Sequence, residues 1–361
     1  GFVVSDWGSL REMMDHGYAK DRKHAGELAL NAGSDMDMES YIYFEELEGL
    51  LGEGKVKLTD IDDAFRRILK IKYELGLFDD PYRYLDEERE KEVTGSKEMM
   101  DGVLDMAKKS IVLLKNEDKI LPLKKKGQRI ALIGPLAADK NSPLGNWRIG
   151  ADDNTAISVL EGLQAYNGNN IKHQQGVKLA NKIPAGFHEE VSINETDRTG
   201  FAAAKKAASR ADVVVMVLGE YGFQSGEGRS RANLDLPGLQ QELLEEVYAI
   251  NPNIVLVLMN GRPLILNWAS ENLPAIVEAW HLGTQSGNAI AQVLYGDYNP
   301  GGKLPMSFPR NVGQMPLYYN VKSTGRPGAD GEDQGSVFWS HYTDEKHTAL
   351  YPFGYGLSYT T

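Results

Sequence analysis

Two acidic side chains, far apart along the chain, stand in settings suited to acid–base chemistry. The first is Asp6, in the run VVSDWGS, at the end of a short apolar stretch and directly before Trp7. The second is Glu227, in GEYGFQSGEGRSR (219–231), between Gly226 and Gly228 and shortly before Arg229 and Arg231. Flanking glycines open backbone angles closed to other residues, so the Glu227 carboxyl can be held out from its loop. The two arginines are placed to fix its charge state or to hold a substrate hydroxyl. Hydrolysis of a glycoside with retention needs two carboxyl groups roughly 5–5.5 Å apart, one attacking the anomeric carbon and one protonating the leaving oxygen and then activating water. Asp6 and Glu227 are the candidates for that pair, and they would come from different domains. Trp7, and Trp147 in PLGNWRIG (143–150), offer rings that can stack on a sugar. Plainer readings stay open beside these. Ser5 or Asp6 can cap a following helix, the 219–231 segment can be a solvent loop, and Trp147 can pack beneath its own loop. Glu220 ends a strand and reads as a loop anchor. RIALIGPLAADKNSPLG has neither G-x-G-x-x-G nor the phosphate-loop lysine pattern, which argues against a nucleotide site.

These residues need elements to position them. Residues 1–85 read as strand, helix, strand, helix: FVVSD (Phe2–Asp6), a helix over 21–32 closed by Gly33, SDMDM (Ser34–Met38), then helices over 40–52 and 60–76. Thr59 with Asp62 resembles a capping box, and Ile61, Ala64, Phe65, Ile68, Leu69 and Leu75 form one apolar stripe. Two βα units cannot cover both faces of a parallel sheet, so 1–85 is expected to be the last part of a (β/α)8 barrel whose six earlier strands lie upstream. Residues 86–128 read as a linker and a helix leading into the next domain, with Met99, Met100, Val103, Leu104, Ala107, Ile111 and Leu114 on its buried side. From 129 to 310 strands and helices alternate, which predicts a doubly wound α/β domain with a parallel sheet. Residues 311–361 lose periodicity; 323–336 read as a long surface loop, and YPFGYGLSYTT (351–361) as the lead-in to a further β domain.

The 361 residues carry a formal net charge of −12, which disfavours nucleic acid as a partner. There is no cysteine, which removes thiol chemistry, disulfides and cysteine-based zinc sites, and the 7 histidines show no metal-ligand spacing, so no metal is expected. No apolar run approaches the roughly 20 residues of a membrane-spanning helix. GFVVSDWGSL is neither an export signal nor a basic arm; the chain is expected to be part of a longer one, with any export signal upstream.

Several blocks resemble the glycoside hydrolases of family three: GFVVSDWGS, AGSDMDM, KVKLTDIDDAFRRILKIKYELGLFDDPY, SIVLLKNEDKILPL, SGEGRSRANLDLPGLQQELL, VLMNGRPLIL, GDYNPGGKLPMSFPR and YPFGYGLSYT. They run from end to end of the chain, and their number and order make the match specific. The nearest likeness is to the bacterial periplasmic β-glucosidases of that family. The resemblance implies a (β/α)8 barrel, an α/β sandwich domain and often a fibronectin-III-like domain. It implies no cofactor, a β-linked oligosaccharide or glucoside as substrate, and a periplasmic or secreted location; a homodimer is compatible with it. It puts the nucleophile on Asp6, the acid/base on Glu227, and sugar contacts on Trp7 and Trp147, with Arg231 beside them. The implied activity is exo-acting release of terminal β-D-glucosyl residues. A β-xylosidase or arabinofuranosidase, or a catalytically silent sugar-binding module, is the alternative. Two departures matter. Ser230-Arg231 stands where some members have Asp-Arg, as it does in the periplasmic subgroup. The family's Asp, Arg and Lys-His sugar contacts from earlier barrel strands have no counterpart here. Expressed alone, the 361-residue chain is therefore expected to turn over aryl β-glucosides far more slowly than the full-length protein, which a side-by-side assay checks.

Overall fold

Unbroken runs of β-branched and aliphatic residues, such as VVVMVLG and IVLVLM, leave no polar face for water and must be covered on both sides. The computed structural model, which describes residues 1–182, 184, 189–322, 326, 338 and 340–360, builds a sheet around them. The chain divides into two units, Gly1–Thr94 and Gly95–Thr361.

The first unit is mainly helical: α1 (Ser9–Asp15), α2 (Arg22–Asn31), α3 (Ile42–Gly52), α4 (Leu58–Glu74) and α5 (Glu87–Val93). The two expected strands are reduced to one parallel bridge, Val4 with Met36. It is extended by Asp35 N and Met36 N donating to the Val3 carbonyl and by Ser5 N donating to that of Met36. The capping box expected at Thr59 and Asp62 does not form. α4 starts one residue before Thr59, after Lys57, with no side-chain cap, and the Thr59 hydroxyl instead meets Asp60. Burial of Val56 with Leu30, Leu50 and Ala64 sets that earlier start. The same small core takes Ile61 and Ala64 from the apolar stripe and leaves Phe65 and Leu75 exposed. α5 buries no residue, in keeping with its alternating charges.

The second unit runs α6 (Lys97–Ser110), β1 (Val112–Asn116), β2 (Arg129–Ile133), α7 (Val159–Gln164), β3 (Asn170–Gln174), β4 (Ala180–Lys182), β5 (Ser192–Ile193), α8 (Phe201–Ala208), β6 (Val213–Gly219), α9 (Gln240–Tyr248), β7 (Ile254–Met259), α10 (Asn267–Asn272), β8 (Ala275–Glu278) and α11 (Ser286–Leu294). Six strands form one sheet in the order β1-β8-β7-β6-β2-β3, while β4 and β5 form a separate small ribbon. Side chains of β6 alternate faces, as a period of two demands. Val213, Val215 and Val217 join a core with residues of α6, α7 and α11; Val214, Met216 and Leu218 join one with residues of α8, α9 and α10.

The expected all-parallel sheet is instead mixed, because β1 pairs antiparallel with β8 at one edge. Ile111 and Leu114, read as the continuing face of a helix, belong to this edge: α6 ends at Ser110 and the backbone turns extended at Ile111. A helical stripe and a buried strand run together there, and periodicity alone does not separate them. Among the remaining stripe residues, Ala107 is buried and Met99 is exposed.

Part of the segment read as the lead-in to a further domain, near Tyr351 and Leu357, packs against this unit. Leu357 N donates to the Leu113 carbonyl of β1, and Phe308 N donates to the Tyr351 carbonyl while the Phe308 carbonyl accepts from Leu350 N. Most of the expected loop over 323–336 lies outside the described residues. Phe308, fully buried, meets both Trp280 and Tyr351 edge-on. Phe308→Ala is expected to destabilise this unit by about 3–5 kcal/mol, measured as a lower denaturant midpoint.

Candidate active site

In open α/β sheets the crevice for ligands opens at the carboxyl ends of strands where the strand order reverses. Here that point lies between β2 and β6. From β2 the chain steps outward to β3, then crosses back to β6 on the other side, and both neighbours pair parallel with β2. The two loops leaving β2 and β6 are those that carry Trp147 and Glu227.

The two loops are packed together. Gly222 N donates to Ser142 Oγ at 3.1 Å, and Ser142 is itself held by Asp139, whose Oδ2 accepts its hydroxyl at 2.5 Å. Gly226 has φ 124, and a Cβ there would lie 2.5 Å from Asn146 Cγ, so both the angle and the close approach call for glycine. Beside Trp147, Asn146 is buried and Arg148 stacks over the Phe223 ring at 4.8 Å while pairing with Asp153 at 2.6 Å. The neighbours of Trp147 are thus fixed, and its side chain is 63% exposed. Glu227 is exposed at the tip of the second loop, with Gly228 also at positive φ.

Beneath the Glu227 loop lies a buried polar layer. Glu220 is fully buried and is paired by Arg231 Nη1 at 2.8 Å and Arg262 Nε at 3.0 Å. Arg231 Nη2 donates to the Asp235 carbonyl. Two donors of Arg231, read from sequence as a sugar contact, are therefore engaged within the protein. Glu220 fills the anchoring role its position suggested. A second buried carboxyl, Glu278 at the end of β8, accepts from Trp280 N at 3.0 Å and from Asn260 Nδ2 at 3.1 Å. Burial, reinforced by the charge of Glu220, pushes Glu278 up to about 8 against the opposing pull of those two hydrogen bonds. Burial pushes His281 down to about 4, so its imidazole is neutral. Its Nε2 is buried without a hydrogen-bond partner among the described residues.

Asp6 and Trp7 belong to the first unit. The Asp6 carboxylate accepts from Trp7 N at 2.7 Å. Ser5 Oγ donates to the Asp6 carbonyl and accepts from Met38 N at 2.8 Å, and Gly8 N donates to the Met38 carbonyl. These bonds bend the chain sharply after the bridge, leaving Asp6 exposed and Trp7 66% exposed. Asp35 steadies the strand behind them: its buried carboxylate accepts from Val3 N at 2.8 Å and pairs with Arg67 at 2.5 Å. Neither Asp6 nor Ser5 caps α1, which starts after Gly8 with no side-chain cap.

Sequence reasoning did not single out Ser142, Asn146, Asn260, Arg262, Glu278 or His281. For Asn260, Arg262, Glu278 and His281 the signal is a polar residue at or just past the carboxyl end of a strongly apolar strand; Ser142 and Asn146 lie farther along the loop after β2 and carry no such signal. No group of three or more His, Asp or Glu suited to a metal occurs among the described residues, and no helix among them is long and apolar enough to cross a membrane. Glu278 yields a pH test. Between the ordinary carboxylate value of about 4.3 and about 8, the unfolded chain has lost a proton that the folded chain keeps, so stability falls as pH rises through that window. Glu278→Gln is expected to flatten this fall, seen as a smaller difference in unfolding free energy between about pH 5 and about pH 9.

Comparison with known proteins gives a consistent picture. Residues 1–71 match the glycosyl hydrolase family 3 N terminal domain, and residues 111–359 match the glycosyl hydrolase family 3 C-terminal domain. A periplasmic beta-glucosidase of Salmonella typhimurium is 42% identical over 100% of this chain and 48% of its own length. A beta-xylosidase of Formosa agariphila is 38% identical, again over 100% of this chain and 48% of its own. The crystal structure of a beta-glucosidase from Listeria innocua superposes with a TM-score of 0.88 at 37% identity, covering 99% of this chain and 47% of that one. The Listeria protein has also been solved in complex with glucose, and a mutant of it in complex with laminaribiose. The chain spans about half the length of the curated relatives it matches.

Proposed function

The chain belongs to glycosyl hydrolase family 3, and on that premise we propose that it carries the two catalytic carboxyl groups of a retaining, exo-acting β-glucosidase. The observation that carries the reading is the presentation of Glu227: an exposed carboxyl between two glycines, on a loop braced from below by buried ion pairs and from the side by the Trp147 loop. An acid that protonates a departing oxygen must reach into a cleft without its loop shifting, because small displacements are costly in rate.

In the proposed reaction Asp6 attacks the anomeric carbon and forms a covalent glycosyl ester while Glu227 gives its proton to the leaving oxygen. Glu227, now ionised, takes a proton from water, and the hydroxide so formed displaces Asp6 with net retention. Trp7 and Trp147 supply ring faces to the sugar, and Arg231 acts from the base of the Glu227 loop. In the same reading residues 1–85 end a (β/α)8 barrel, 86–128 link it to the next domain, 129–310 form the α/β sandwich, and 311–361 lead toward a fibronectin-III-like domain. The periplasmic relative supports export to the periplasm or beyond.

A second glycone is favoured by one observation, the 38% identity to a beta-xylosidase. A panel of nitrophenyl β-glucoside, β-xyloside and α-arabinofuranoside separates these, with the glucoside expected to give the highest kcat/KM. In the full-length protein Glu227→Gln is expected to lower kcat on a phenyl β-glucoside by about 10²–10⁴. Azide is expected to rescue Glu227→Ala by trapping the glycosyl group, and Asp6→Asn is expected to abolish labelling by a fluorinated glucoside. Near-normal turnover by either carboxyl variant would remove that residue from the mechanism.

A further inference from the structure

The Glu227 loop is held by groups that take no part in the proposed chemistry. The loop begins at Glu220 and runs to Arg231, and its floor is the turn after β7, residues Asn260, Gly261 and Arg262. A Cβ on Gly261 would lie 2.1 Å from Ser225 Oγ, so Ser225, two residues before Glu227, rests directly on this turn. Arg262 rises from the turn and makes two attachments. Its Nε meets the buried Glu220 carboxylate at 3.0 Å, at the start of the loop. Its Nη2 donates to the Gln224 carbonyl, midway along. Arg231, at the loop's far end, meets the same carboxylate. The Arg262 backbone is fixed in turn: its carbonyl accepts from Asn260 Nδ2 at 2.8 Å, and the same amide reaches Glu278. Start, middle and end of the loop are therefore tied to one buried carboxylate and two guanidinium groups.

We propose that Arg262 is a positioning residue for Glu227: by joining the Glu220 carboxylate to the Gln224 carbonyl, it sets where the loop presents its acid. The proposal rests on the reading of Glu227 as acid/base. A planar guanidinium has donors for both attachments at once, whereas a lysine ammonium in its place is a single point charge on a flexible stem. The Glu220 carboxylate would keep Arg231 and the Gly261 N–H if Arg262 were lost, so the loop would stay folded yet lose its middle tether.

The test compares two substrates in the full-length protein. A phenyl β-glucoside needs its leaving oxygen protonated; a dinitrophenyl β-glucoside departs as a stable anion and does not. Glu227→Gln serves as the benchmark and should slow the phenyl substrate selectively. Arg262→Met is expected to lower kcat/KM, which reports only the first step in which the leaving group departs, by about 10²-fold on the phenyl glucoside, with less than about a tenth of that loss on the dinitrophenyl glucoside. Arg262→Lys should show the same selectivity with a smaller loss. If Glu227→Gln is selective but both Arg262 variants slow the two substrates equally, or neither one, the positioning role is wrong. Loss of folded protein lowers both rates together and so counts against it as well. If Glu227→Gln itself shows no selectivity, the acid/base reading fails first, and Arg262 falls with it.

Discussion

The second unit depends on a carboxylate that water cannot reach. Glu220 follows the most apolar strand of the sheet, fully buried, and an ionised group there is tolerable only if paired and hydrogen-bonded. Two guanidinium groups and a backbone N–H meet that demand. With partners shared among three donors, losing one weakens the pairing without leaving the carboxylate wholly unpaired. Because the partners come from the loop's own far end and from the turn after β7, satisfying Glu220 also fixes the loop that carries Glu227. A neighbouring carboxyl, Glu278, forms no ion pair among the described residues and meets the same constraint through a pKa that burial pushes up to about 8.

The fold makes this economical. β6 and β7 lie side by side at the centre of the sheet, so the residues just past their carboxyl ends are close in space without any long connection. The reversal of strand order between β2 and β6 opens a crevice beside them, and the Asn146 side of the β2 loop closes against Gly226. The first unit solves a similar problem with fewer parts. One bridge, the Ser5 hydroxyl and the buried Asp35 set the bend that exposes Asp6 and Trp7.

Much of this was legible in the residues. β2, β6, β7 and β8 announced themselves because a strand buried on both faces must be apolar throughout. Glu227 stood out because glycine on both sides is a costly choice unless the backbone needs it. β1 was not legible: a helix ending at Ser110 and a strand starting at Val112 form one apolar run, and only pairing with β8 tells them apart. The start of α4 was misplaced because burial of Val56 outweighed the capping signal at Thr59.

By itself the sequence determined the family and the alternation of strands and helices, and it pointed to Asp6 and Glu227 as the proposed catalytic pair, because each signal is written in residues close together along the chain. Only the tertiary structure decided what supports them. Glu220 and Arg262 are 42 positions apart, Gly222 and Ser142 80 apart, and no local pattern records such a meeting. They come together because parallel strands bring distant carboxyl ends to one edge of a sheet, where a buried charge then selects its partners.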